Sequence, residues 1–434
     1  EVNGRYDGSS KFPKSSRFGF FPSVSAGWQI AQERFMNSTR HWLDGLKLRA
    51  SYGVIGNQNI NPYTFTPSMS VNNKATSWII DDTYVTSISS LPALVSQNFT
   101  WEKVGTINVG LDVNLFNNRL SGVFEWYQRN TNGMLAPGVQ LPAVVGASAP
   151  YQNTADMRTR GWELSLNWRD QIGKVGYRIG FNLSDYKSEI IKYDDNAATK
   201  LLSSYYPGQT LGEIWGYVVD GYYTVDDFVD TSSWQLKEGV TSINGYNVRP
   251  GDVKFKNLRD DDTSTNVITS GDNTFDNPGD RKVIGNTTPR YQYGINLGMN
   301  YAGFDLNVIL QGTGKRDYWI SNVLTFPMNG DNFVPLFEGL SDYWMPKDPD
   351  NGDWSAVNPN AKYPRIYGNR GNSGSNLRQS DKYLSDASYL RIKNITLSYK
   401  LPKKWVNQIF LNQMKAFVSI ENVATFTSLP VSYT

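Results

Sequence analysis

The sequence predicts an all-β fold, a transmembrane antiparallel β-barrel with long extracellular loops, on three observations. Apolar and polar residues alternate strictly over long runs. The longest runs match the height of a membrane's apolar band and end in aromatic residues. Short and long connections between runs alternate along the chain. Successive strand residues point to opposite faces, so alternation makes one greasy and one wet face. Tyr291 to Tyr301 spans ten steps, about 33 Å, which a tilt of about 40° reduces to about 25 Å along a barrel axis. Compact soluble domains rarely carry structureless connections beyond about 12–15 residues, whereas outer-membrane barrels set short turns on one rim and long loops on the other.

About twelve strands are predicted. The first covers 17–30. In the second, 46–55, Leu46, Leu48, Ala50 and Tyr52 alternate with Lys47, Arg49 and Ser51. The third and fourth, 102–115 and 119–130, share the short link Phe116-Asn117-Asn118-Arg119. The fifth, 156–169, sets Trp162, Leu164, Leu166 and Trp168 against Glu163, Ser165 and Asn167. The sixth, 175–187, sets Tyr177, Ile179, Phe181 and Leu183 against Arg178, Gly180, Asn182 and Ser184. The seventh and eighth, 287–301 and 303–318, meet at Ala302-Gly303, and the ninth and tenth cover 387–400 and 413–428. Two more are expected inside the long segments 56–100, 131–155, 188–286 and 319–386. Those segments are rich in Trp, Tyr, Gly, Asn and Asp, so they read as ordered loops rather than linkers.

Composition narrows the chemistry. The 434 residues contain no Cys and one His, which removes disulfides, thiolate metal sites, Cys nucleophiles and any two-His metal site. His41 reads as a rim residue near a short turn. The net charge is +2, from 42 basic and 40 acidic residues, and the interspersed signs point away from nucleic acid. No run of about 18 apolar residues suggests a membrane helix. Glu1-Val2-Asn3-Gly4 is not a start, so the chain reads as an internal fragment. Alternation also suits a soluble carbohydrate-binding or glycan-hydrolysing all-β protein. A hydrolase needs two positioned carboxylates, and the many loop acids single out no pair.

Arg5-Tyr6-Asp7-Gly8-Ser9-Ser10-Lys11-Phe12, followed by Gly19-Phe20-Phe21-Pro22-Ser23-Val24-Ser25-Ala26-Gly27-Trp28, resembles a stretch of SusC/RagA-type TonB-dependent transporters. Trp42 to Gln58, Trp101-Glu102 with Asn108 to Asp112, Asn118 to Gly122, Thr159 to Glu163, Gly212 to Tyr217, Pro250 to Phe255, Gly285 to Pro289, Tyr389 to Tyr399 and Val418 to Asn422 follow in the family's order. The resemblance implies a barrel of about 22 strands with a plugged lumen, of which residues 1–434 are the C-terminal part of one barrel domain, without the plug and first barrel strands. It implies residence in the bacterial outer membrane of Bacteroidota and active import of oligosaccharides. It implies a SusD-like surface lipoprotein as lid, energy from TonB-ExbB-ExbD through the N-terminal part, and pairing of two lid–barrel units. A peptide importer of the RagA kind is the nearest rival, ahead of a siderophore or cobalamin receptor. The work is transport, not bond chemistry.

Loop aromatics are the ligand candidates: Trp215, Tyr217, Tyr222 and Tyr223 in one loop, and Trp319, Trp344 and Trp354 in another. Flat rings stack on sugar faces and their NH or OH groups bond hydroxyls. The same rings would also serve to pack loop on loop or loop on lid. Trp28, Trp126, Trp162, Trp168, Tyr291 and Tyr301 read as membrane-girdle residues. Glu125, Glu163, Arg178, Arg391 and Lys393 face inward by alternation and are expected to find partners, since unpaired buried charge is costly. No cofactor is expected beyond calcium in loop 260–280, where Asp260, Asp262 and Ser264 match the one-three-five ligand spacing. Thr265 stands at the position of the turn glycine and Gly271 at that of the bidentate Glu, which favours a solvated acidic loop.

Overall fold

The computed structural model describes residues 1–434 except 70, 73–78, 81–82, 85–87, 90–91, 93, 97–98, 140, 260–265, 321–337, 368–373 and 430–434. Its centre is one antiparallel sheet of 11 strands in which spatial neighbours are sequence neighbours. We number these β1 (Val2–Gly8), β2 (Phe18–Gln29), β3 (Leu43–Asn57), β4 (Glu102–Leu115), β5 (Leu120–Pro137), β6 (Tyr151–Ile172), β7 (Val175–Tyr193), β8 (Arg290–Tyr301), β9 (Phe304–Lys315), β10 (Tyr389–Lys400) and β11 (Lys415–Thr427). The ten strands delimited from the sequence are present in order. The sheet leaves β1 and β11 as edges and does not close among the described residues. No helix among them is long and apolar enough to cross a membrane.

Three expectations change. β1 was not foreseen, because Val2–Gly8 has no clean alternation, and its pairing with β2 from Val2 opposite Val24 to Gly8 opposite Phe18 defines it. The two extra strands expected in the long segments do not join the large sheet among the described residues; small two-stranded sheets lie there instead. Both ends of the segment 131–155 are strand, since β5 runs to Pro137 and β6 begins at Tyr151. Register shifts between Asn153 and Met157 reset the alternation there, which hides the strand from a strict period-two reading.

The register lines residues into rows. Ala50, Val109, Trp126 and Trp162 lie opposite one another across β3 to β6. The next row on the other face holds Arg49, Gly110, Glu125, Glu163, Ser184 and Gln292. One face is thus apolar and aromatic, the other polar. Tight turns sit on one rim, at Phe116–Arg119, Gly173–Lys174 and Ala302–Gly303. The opposite rim carries the long segments. β6 has 22 residues and β7 has 19, about 70 and 60 Å, so they extend well past an apolar band of about 25 Å.

Two long segments on that rim pack into a unit of their own. Strands Glu213–Tyr217 and Arg281–Asn286 pair, as do Val219–Tyr222 and Val253–Phe255, and Asp317–Trp319 with Leu384–Asp386. Tyr217, Tyr223, Phe228, Ile243, Val248, Val253, Phe255 and Ile268 form its main core, and Leu340, Tyr363 and Tyr383 a second. A loop that builds its own apolar core holds shape without help from lipid.

Candidate ligand-binding surfaces of the loops and the polar face

The loop unit turns on Asp252. Pro250-Gly251 places it, and Gly251 takes φ +89 with Trp344 so close that an added Cβ would lie 2.2 Å from the ring. Only glycine meets both demands. The Asp252 carboxylate is 1% exposed. It accepts from the Arg249 amide at 2.8 Å, the Tyr367 hydroxyl at 2.7 Å and Asn376 Nδ2 at 2.9 Å. Asn376 Oδ1 in turn accepts from the Val253 amide at 2.8 Å, and its carbonyl accepts from the Tyr383 hydroxyl at 2.9 Å. Residues from 194–289 and 316–388 are thereby joined through one carboxylate. Burial pushes its pKa up, against the pull of the Tyr367, Asn376 and Arg249 hydrogen bonds. Burial likewise raises Tyr222, Tyr223, Tyr367 and Tyr383.

Tyr217, Tyr223 and Trp344 are buried at 6%, 0% and 3% exposure. Open stacking platforms were expected at these three positions; the structure closes their rings inside loop cores instead. Tyr223 donates to the Thr241 carbonyl at 2.6 Å. The other four are half-buried. Trp215 Nε1 donates to the Tyr206 hydroxyl at 3.2 Å, and the Tyr222 hydroxyl donates to the Ala361 carbonyl at 2.9 Å. Trp354 meets Trp234 edge-on at 4.9 Å, with the Arg365 guanidinium also 4.9 Å from its ring. Trp319 packs on the second core. Loop apolarity alone could not separate a platform from a core residue, because both need large rings.

Asp260, Asp262 and Ser264 lie outside the described residues. Nearby, Asp280 is 3% exposed and accepts from the Leu258 and Thr269 amides at 2.9 and 2.7 Å. Among the described residues no group of three acidic or His side chains is placed to hold a metal.

Lys382 offers a titration test of the unit. Its Nζ sits 4.5 Å from the Tyr222 ring centre. Burial lowers its pKa to about 8, against the opposing pull of Asp381 and Asp342. A base with a depressed folded pKa adds stability above its unfolded value of about 10.4 and loses it as pH falls through the folded one. The melting temperature of the loop unit, read by Trp fluorescence, is therefore expected to rise between about pH 8 and 10. Lys382→Met should flatten that rise; a flat wild-type profile counts against the burial argument.

On the polar face of the sheet two of the expected charges, Arg49 and Arg178, have acids in reach, whereas Glu163 and Lys393 form no ion pair among the described residues. Arg49 Nε donates to Asp112 at 3.2 Å and its Nη2 pairs with Glu125, which also accepts from Asn108 Nδ2 at 3.3 Å. Glu125 lies opposite Glu163, a like-charge pair that Arg49 offsets. Gly110 makes this geometry available: a Cβ there would sit 2.7 Å from Arg49 Cζ. Arg178 bonds Asn307 at 3.2 Å and lies 3.9 Å from Asp305. Arg391 donates to Thr425 at 2.9 Å. Much of the remaining surface of this face is Asn, Ser, Thr, Gln and Gly, interspersed with Lys47, Tyr127, Arg129, Tyr186 and Ile309, and it offers many donors and acceptors for a polar ligand.

One cavity was missed by the sequence reading. It has a volume of about 810 Å³ and lies among the loops 62–68, 92–96 and 146–151. Tyr63 and Tyr151 line it, with Thr64, Thr66, Ser68 and Ser148. Both tyrosines are exposed, at 76% and 54%. Aromatic faces beside hydroxyl groups in a cavity of this size suit a small ligand. No sequence signal marks them, since the loops meet only in three dimensions.

The six girdle candidates lie along the sheet. Trp126 faces Trp162 across β5 and β6. On the tight-turn side, Trp168 Nε1 donates to the Tyr177 hydroxyl at 3.2 Å, and Tyr301 lies opposite Phe304, itself 4.6 Å from Tyr399. Trp28 Nε1 donates to Glu33 at 2.9 Å. Tyr291, at φ +54, interrupts the alternation of β8.

A family model described as "TonB dependent receptor-like, beta-barrel" matches residues 1–423. The chain is 29% identical over 444 aligned residues to TonB-dependent receptor P3 of Formosa agariphila, covering 98% of this chain and 39% of that protein. It is 27% identical over 417 to TonB-dependent receptor SusC of Bacteroides thetaiotaomicron, covering 94% of this chain and 36% of that one. The chain thus spans about two fifths of the length of such curated relatives. Among solved structures, the RagAB peptide importer in its closed-closed state superposes with a TM-score of 0.74 at 23% identity, over 99% of this chain and 42% of that one. At this identity the likeness is one of fold.

Proposed function

The chain belongs to the TonB dependent receptor-like β-barrel family, and from that premise we propose that it forms part of a SusC/RagA-type importer of oligosaccharides in the bacterial outer membrane. Its strands supply one arc of the barrel wall, with the apolar face and its six aromatic residues towards lipid. The long-loop rim faces outward beneath a SusD-like lid lipoprotein, and TonB-ExbB-ExbD drives transport through a plug in the rest of the protein. The observation that carries the substrate class is the inner face rich in hydroxyl and carboxamide groups, with Arg49 and Arg178 held by acids. A neutral polymer of hydroxyl groups exchanges hydrogen bonds along such a surface. Tyr63 and Tyr151 serve as stacking platforms above it.

Mass spectrometry of ligand retained by the native lid–receptor complex tests this. Oligosaccharide is the expected ligand, and a bound peptide would overturn the substrate class. Tyr63→Ala and Tyr151→Ala are each expected to weaken oligosaccharide binding roughly 3- to 10-fold by calorimetry, the worth of one lost stacking contact.

A further inference from the structure

At the long-loop end of β7 the sheet forks. Pairing with β8 stops at Ser184 opposite Gln292, yet β7 continues to Tyr193. Its free edge is taken by a loop segment instead. The Ile190 amide donates to the Gln209 carbonyl at 2.9 Å, Gly208 to Ile190 at 2.8 Å, and Leu211 to Ser188 at 2.9 Å. A cavity of about 150 Å³ opens in the fork, with Lys187, Arg290 and Lys315 among its lining residues and hydroxyls from Ser188 and Thr288 beside them.

The charge there is unbalanced. Arg290 is committed to Asp185. Asp317 lines the cavity too and accepts from the Asn286 amide at 3.0 Å. Lys187 and Lys315 form no ion pair among the described residues, and both are exposed. Lys187 also lies directly opposite Arg160 on β6, whose guanidinium is held by Gln128 at 2.8 Å rather than by an acid. Like charges opposite each other across a sheet are destabilising, and Lys187, Lys315 and Arg160 outnumber the single carboxylate of Asp317 that Arg290 and Asp185 leave over, so the excess of positive charge marks a place for an outside anion. Its level is informative. Arg160 is two residues above Trp162 on the same face, and Tyr291 lines the cavity itself. Interfacial Trp and Tyr sit at the depth of lipid headgroups.

We propose that the fork binds the phosphate group of an anionic lipid of the surrounding outer leaflet, with Lys187 and Lys315 as its ligands and Arg160 as a flanking charge. Primary ammonium groups hold phosphate as compact point charges, and a lipid held here would anchor the wall where the loop unit begins. This rests on the membrane reading above. The test uses full-length receptor purified in detergent and incubated with bisphosphorylated lipid A, with retained lipid counted by native mass spectrometry. Wild type is expected to retain roughly tenfold more than Lys187→Gln/Lys315→Gln, while Lys403→Gln/Lys404→Gln on the opposite rim leaves retention unchanged. Dephosphorylated lipid A should be retained by wild type no better than lipid A is by the fork variant. Equal retention by wild type and the fork variant overturns the proposal, as does equal loss in the opposite-rim variant. Displacement by millimolar inorganic phosphate overturns the lipid assignment in favour of a soluble anion. Heat-modifiable gel migration confirms that each variant is folded, and the single variant Lys187→Gln replaces the double one if it is not. A receptor that stays soluble without detergent sinks the membrane reading itself, a result distinct from a folded barrel without lipid selectivity.

Discussion

Asp252→Ala is expected to melt the loop unit while leaving the strands of the sheet in place. The substitution strands three donors in a site 1% exposed to solvent, the Arg249 amide, the Tyr367 hydroxyl and Asn376 Nδ2. An unsatisfied buried donor costs about 1–3 kcal/mol. The sum is on the order of 3–6 kcal/mol after partial relaxation, comparable with the whole stability of a small domain. Limited proteolysis of the full receptor should then cut within 194–289 and 338–388, and leave β2 to β7 intact. Asp252→Asn is expected to be milder, since it keeps the volume and one accepting oxygen. If Asp252→Ala resists protease like wild type, the carboxylate is not the organising contact. Because burial raises the Asp252 pKa, protonation of this group does not work against the fold on acidification: an acid with a raised folded pKa contributes stability at low pH and loses it as pH rises through that pKa.

The second large effect separates the two faces of the sheet. Leu297, in the middle of β8, lies opposite Ile179 and Val308, while its neighbour Asn296 lies opposite Gly180 and Ile309 on the other face. Leu297→Arg puts a charge into the apolar row, at a cost of about 2–4 kcal/mol if that row meets the middle of a bilayer. Asn296→Arg should cost under about 1 kcal/mol, because the polar face already carries arginines with acids and carboxamides in reach. Folding into vesicles, followed by heat-modifiable migration across a urea series, reads the difference. Equal costs for both substitutions would remove the support for lipid on the Leu297 face.

Much of the fold was legible from one chain because a strand's two faces are written in adjacent residues. Leu164, Leu166 and Trp168 alternate with Ser165 and Asn167, and in the sheet each set shares a face. Alternation, tight turns such as Ala302-Gly303 and the ordered family-like strings together fixed strand order, because a meander needs only neighbours to pair. β1 escaped, since Val2–Gly8 becomes a strand by borrowing the edge of β2. The full extent of β5 and β6 escaped because bulges break the period.

Local patterning therefore determined the wall: its strands, their order, their faces and the family. Tertiary structure alone decided the loops. Whether Tyr223 or Trp344 is a platform or a core residue depends on what folds over it: Val253, Phe255 and Ile268 cluster with Tyr223, Gly251 lies against Trp344, and Asp252 and Asn376 tie the two long segments together across more than a hundred positions. The same holds for the cavity beside Tyr63 and Tyr151 and for the fork at Lys187. Each arises where separate loops or strands meet, and contact between distant residues leaves no period in the sequence. Short-range geometry is encoded residue by residue, whereas burial and charge balance are properties of the assembled neighbourhood.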